Sequence, residues 1–83
     1  MEKRIGTISI VISDNSIAQT VNQIISSYSQ DILARQGLPI RERGLSIINL
    51  IIEASSDQIN ALTGKLGRLD DVEVRSILSK GTY

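Results

Sequence analysis

Leu45-Ser46-Ile47-Ile48-Asn49-Leu50-Ile51-Ile52 sets the terms for the rest of the chain. The run is too short to span a bilayer and too rich in β-branched residues to favour a helix, so it reads as a strand. Successive side chains on a strand point to opposite faces. One face then carries Ile48, Leu50 and Ile52, and the other Leu45, Ile47 and Ile51, interrupted by Asn49. A strand apolar on both faces belongs in the middle of a sheet and needs cover on both sides.

Working outward, Arg4 to Ser13 alternates in the same way, with Ile8, Ile10 and Ile12 on one face and Ile5, Thr7, Ser9 and Val11 on the other. Asp14-Asn15-Ser16 then supplies helix caps, with Gln19 placed to close a capping box with Ser16. Ile17, Val21, Ile24, Ile25 and Tyr28 follow at the spacing of one helical face. From Asp31 to Ile40 the strand pattern is weaker and contains Gly37 and Pro39, which suits an edge or kinked strand. Arg41-Glu42-Arg43-Gly44 makes a charged turn that joins it to the central strand as a hairpin. Ser55-Ser56-Asp57-Gln58 is a capping box, and Ile59, Leu62, Leu66 and Leu69 repeat along the helix behind it, which ends at or just after Gly67. Asp70-Asp71 turns into Val72 to Leu78, an alternating last strand.

Strand, helix, strand, strand, helix, strand in 83 residues is the split β-α-β unit of ferredoxin-like folds. The expected α+β architecture is a βαββαβ sandwich: a four-stranded antiparallel sheet, first and third strands central, with both helices on one face. Residues 1–83 are expected to form a single domain. A chain this short buries roughly 60–65% of its unfolded surface. Leu45, Ile47, Ile51, Ile5 and Val11 would lie on the uncovered sheet face, a patch that monomers seldom expose. A homo-oligomer, dimer or tetramer, is therefore expected, with these five residues at its interface.

Composition narrows the chemistry. Nine basic and nine acidic residues cancel, which disfavours a nucleic-acid binder acting by phosphate neutralisation. With no Cys and no His, thiolate metal sites, Cys nucleophiles and imidazole bases are excluded, so neither metal nor cofactor nor enzymatic activity is expected. Tyr28 and Tyr83 are the only aromatics, leaving no platform for stacking bases or sugars. Gly6, Thr7 and Ser9 break the first apolar run and no small-residue cleavage site follows, which makes a signal peptide a poor fit. The expectation is a cytoplasmic protein without membrane contact.

Three places are candidates for binding. Arg35, Arg41, Glu42 and Arg43 around the hairpin offer guanidinium groups to a carboxylate or phosphate, against the plainer reading of a solvated, salt-bridged turn. Asp14, Asn15 and Ser16 stand where free amides at a helix start meet an anion, or where they simply cap it. Asn49, on an otherwise apolar face, suits either registry between subunits or a ligand contact. Gly64-Lys65-Leu66-Gly67 matches the backbone clamp of KH domains but falls inside the second helix, where close packing explains it better. Asp70 and Asp71 are neighbours on a turn and point apart. Acylphosphatases share the expected fold, but their glycine-flanked loop has no counterpart after the first strand.

Arg35-x-Gly37-x-Pro39-x-Arg41-Glu42, then the isoleucine-rich strand, then Ala61-Leu62-Thr63-Gly64-Lys65-Leu66-Gly67, resembles the small proteins called iron-only hydrogenase system regulators. The similarity runs from Lys3-Arg4 to the last strand. It implies an ACT-like ferredoxin-type fold, related in shape to the ligand-binding domain of the nickel-responsive repressor, and a role in regulating an iron-only hydrogenase system. The repressor's metal site uses His and Cys, so nickel sensing does not carry over. ACT domains usually place Gly after the first strand, where an amino-acid effector binds; here the residues are Asp14-Asn15-Ser16. Relatives often have Gly in place of Asp71. No helix-turn-helix segment is present, so direct DNA binding is not expected. The function expected is an ACT-like oligomeric module that binds a small anionic or amino-acid effector, or a protein partner, at subunit interfaces. The alternative is a purely structural interaction module without a ligand.

Overall fold

The computed structural model describes residues 2–81. Tyr83 lies outside the described residues. Four strands, β1 (Arg4–Ile12), β2 (Ile32–Ile40), β3 (Leu45–Ala54) and β4 (Val72–Leu78), alternate with α1 (Ala18–Ser26) and α2 (Ser56–Gly67) in the expected order. They form one sheet in the order β2-β3-β1-β4, and every neighbouring pair is antiparallel. The two most apolar strands are thus central.

The alternation decides what is buried. Ile8, Ile10 and Ile12 from β1 meet Ile48, Leu50 and Ile52 from β3 on one sheet face. Val21 and Ile25 of α1 and Ile59, Leu62 and Leu66 of α2 close that face from above, so both helices lie on the same side. Full burial of each such side chain contributes about 1.5–3 kcal/mol. Gly6 occupies the next inward position on β1. A Cβ there would stand 3.0 Å from Leu78 Cδ2 and 3.4 Å from Ile59 Cδ1, so α2 and β4 close over a residue with no side chain.

Helix starts follow local hydrogen bonding. At α2 the Ser55 hydroxyl accepts from the Gln58 amide at 3.2 Å while the Gln58 side chain accepts from the Ser55 amide at 3.1 Å. The box expected between Ser16 and Gln19 does not form. The Asp14 carboxylate accepts the Ser16 amide at 2.9 Å and heads a 3-10 turn over Asn15–Ile17, so α1 begins only at Ala18, without a side-chain cap. An Asx side chain two residues upstream captures the amide before the helix can use it.

Two turns use the left-handed backbone region. Gly44, at φ +67°, closes the 3-10 turn Arg41–Arg43 of the β2–β3 hairpin. Asp71, at φ +63°, leads into β4, and its carbonyl accepts from both the amide (2.9 Å) and the hydroxyl (3.2 Å) of Ser13. β2 is the edge strand anticipated from Gly37 and Pro39, and Leu33 bulges from its pairing with β3. Leu45, Ile47, Ile51, Ile5 and Val11 all occupy the face away from the helices, with Ile51 41% exposed. Leu38 and Ile77, 58% and 74% exposed, enlarge that face.

Candidate functional site

α1 packs Val21 and Ile25 on the core and leaves the outer strand β2 largely uncovered. Register with β3 puts Arg35, Gly37 and Pro39 on the helix side of β2, yet all three are exposed. The gap between α1 and β2 is a shallow cleft of ≈ 280 Å³. Ile12 and Ile48 make its apolar floor, Gly37 keeps one wall open, and Asn22 and Ser46 supply polar groups.

Two of the sequence candidates join this cleft through single hydrogen bonds. The Arg35 guanidinium donates to Oδ1 of Asn22. The Ser46 hydroxyl lies 3.5 Å from Oδ1 of Asn15, tying the β1–α1 junction to the start of β3. Asp14 sits beside Asn15, and its carboxyl is held below its ordinary pKa by the hydrogen bonds from Ser16, so it is an anion at neutral pH. A guanidinium, two amides and a hydroxyl thus meet at one apolar-floored cleft, with the Asp14 carboxylate on the adjoining loop. That set suits a small molecule bearing a carboxylate.

The remaining candidates are placed differently. Arg41, Glu42 and Arg43 form the exposed hairpin turn, at the end of the sheet where β1 leads into α1. Asn49 lies on the opposite, open face, beside a smaller hollow of ≈ 150 Å³ that it shares with Ala34, Gln36, Ile51 and Arg35, whose guanidinium turns to Asn22 on the helix side. Asn22, Gly37 and Ser46 were not legible as site residues, although an isolated Gly inside a strand pattern signals open space or close approach. Gly64-Lys65-Leu66-Gly67 lies within α2, which rules out a clamp loop.

A larger cavity, ≈ 560 Å³, opens where the end of α1 meets the start of α2, between Lys3, Tyr28 and Gln58. Of its polar groups, Ser55 and Gln58 cap α2, and the Tyr28 hydroxyl lies 3.1 Å from Lys65 Nζ, which stands 5.1 Å from the Tyr28 ring centre; Lys3 and Asp57 add charged groups to its lining. Among the described residues no three carboxylates converge as metal ligands, and no helix is long and apolar enough to cross a membrane.

The fold is that of the ACT domains. The ACT domain of GTP pyrophosphokinase from Chlorobium tepidum superposes with a TM-score of 0.77 at 23% identity, over 90% of this chain and 99% of that one. The C-terminal domain of the MgtC protein from Mycobacterium tuberculosis gives 0.70 at 8% identity, over 96% and 92%. No curated protein sequence matches the chain. Within that class the particular assignment follows from residues 4–76, which match the TM1266-like family, described as "Iron-only hydrogenase system regulator, putative". The chain belongs to that family. Uncharacterized protein TM1266 from Thermotoga maritima shares 39% identity and a TM-score of 0.91, over 95% of this chain and all of that one.

Proposed function

We propose that this protein is a non-enzymatic regulator of an iron-only hydrogenase system, a cytoplasmic ACT-like oligomer that responds to an amino acid or small anion held in the cleft between α1 and β2. The observation that supports the ligand is the gathering of Asn22, Ser46, Asn15 and Arg35 around an apolar floor that Gly37 leaves open. In this reading Arg35 grips the carboxylate, and Asp14, already ionised, lies on the adjoining loop. Arg41 and Arg43 lie at the adjoining end of the sheet, where they reach a neighbouring subunit or a protein partner.

Thermal shift across a panel of amino acids and small anions tests this. A ligand at ten times its Kd stabilises by about 1.4 kcal/mol, which for a chain of this size raises Tm by roughly 6–11 °C. Arg35→Ala abolishes the shift, whereas Arg41→Ala with Arg43→Ala weakens only partner contacts. A panel in which no compound moves Tm overturns the effector reading and favours the second one, an interaction module without a ligand, which the breadth of the open apolar face supports.

A further inference from the structure

We infer that the open face of the sheet docks a second copy of this chain, face to face, with a twofold axis running along the strands between β3 and β1. This deepens the oligomeric part of the proposed function by naming the surface, the occupant and the register.

Strand register arranges the face in rows. One row runs Ala34, Ile51, Thr7, Ile77 from β2 to β4. The next is Gln36, Asn49, Ser9, Arg75, polar throughout. The third is Leu38, Ile47, Val11, Glu73. A polar band therefore lies between two mainly apolar rows, and of the four large hydrophobic residues most exposed among the described ones, Leu38, Ile51 and Ile77 stand on this face.

An unrelated apolar partner gives no reason for a polar band through the middle of the patch. A second copy does, because the rows are self-complementary. A twofold along the strands lays each row on itself with its ends exchanged. Asn49 then faces the partner's Ser9, and Gln36 faces the partner's Arg75, so polar groups meet polar groups. In the flanking rows Ile51 faces the partner's Thr7, Ile77 the partner's Ala34 and Ile47 the partner's Val11, while at the outer corner Leu38 meets the partner's Glu73, an exposed residue on the edge strand where its carboxylate can stay in water. Facing side chains of unequal size suit interdigitating sheet faces about 10 Å apart. Rotating the axis to lie across the strands instead sets Arg75 against itself and Ile47 against the partner's Ile51, like charge on like charge and bulk on bulk. The charges settle the choice. Formal net charge is zero, so nothing long-range opposes the pairing.

The chain has no Cys, so single introduced cysteines report proximity cleanly. Gln36→Cys and Arg75→Cys chains, each exposed on an edge strand, are mixed and treated with a short bis-maleimide, because facing sheets about 10 Å apart are too far for a direct disulfide. The expected product is the mixed cross-linked dimer, in large excess over either self-pair. Ile47→Asp, followed by sedimentation equilibrium, is expected to weaken self-association about 30-fold or more. A wild-type chain that stays monomeric at micromolar concentration overturns the inference and leaves the face to some other occupant. Self-paired cysteines in excess, or a folded Ile47→Asp chain that assembles normally, overturn it too. Should Ile47→Asp fail to fold, the cysteine pair decides alone. A monomer that still shows the effector-dependent thermal shift overturns the dimer and leaves the regulatory reading standing. A cross-linked dimer that no compound stabilises does the reverse.

Discussion

Asp71 holds a backbone conformation that side-chain-bearing residues seldom adopt, yet its carbonyl anchors Ser13 through two hydrogen bonds. The left-handed region costs most L-residues about 1–2 kcal/mol, less for Asp and least for Gly. Asp71→Gly should therefore raise stability by up to about 1 kcal/mol, and Asp71→Val should lower it by about 1–2 kcal/mol. Urea melts of the three chains check the order, and equal midpoints would show that the turn carries no strain. In sequence Asp70-Asp71 reads as a turn, but an Asp gives no outward sign of positive φ. Asn49 shows a similar limit. Its parity with Ile47 and Ile51 places it on the open face, where it lines a hollow with Arg35 even though the Arg35 guanidinium bonds Asn22 on the helix side.

At the level of whole elements, reciprocal local hydrogen bonds decided which helix start was legible. Ser55 and Gln58 lie three residues apart with nothing nearer to compete, and the box forms. Ser16 and Gln19 have the same spacing, but Asp14 takes the Ser16 amide first. Ser55→Ala should then cost about 1 kcal/mol, while Ser16→Ala should leave stability within about 0.5 kcal/mol of wild type. Chemical denaturation of both variants gives the answer, and a comparable loss for Ser16→Ala would mean that its side chain caps α1 in solution. Strands were easier to place. Period-two isoleucine patterns in β1 and β3 fixed their inward faces, and Gly37 with Pro39 marked β2 as an edge. The placement of α1, which leaves β2 uncovered beside Ala18 and Asn22, is set by tertiary packing and so was not foreseen.

For the molecule as a whole, the cleft and the open face had different visibility. Five members of the open face were named from alternation alone, because alternation is local. The cleft is built from Asn22, Gly37 and Ser46, which come together only through the tertiary fold, and no spacing in the chain announces them. With helices on only one side of its sheet, an 83-residue chain forgoes part of the core that a third layer supplies. If a second copy provides that layer, unfolding is linked to dissociation. A tenfold rise in chain concentration then adds about 1.4 kcal/mol per dimer and should raise Tm by roughly 3–6 °C; scanning calorimetry over a hundredfold concentration range checks it, and a constant Tm speaks against linkage. The margin of the sheet has its own bearing on assembly. β2 bulges at Leu33 and lacks an amide hydrogen at Pro39, so it is a poor template for an added strand. Lateral growth is blunted while face-on pairing is open, which favours a closed particle of fixed membership over a lengthening fibre.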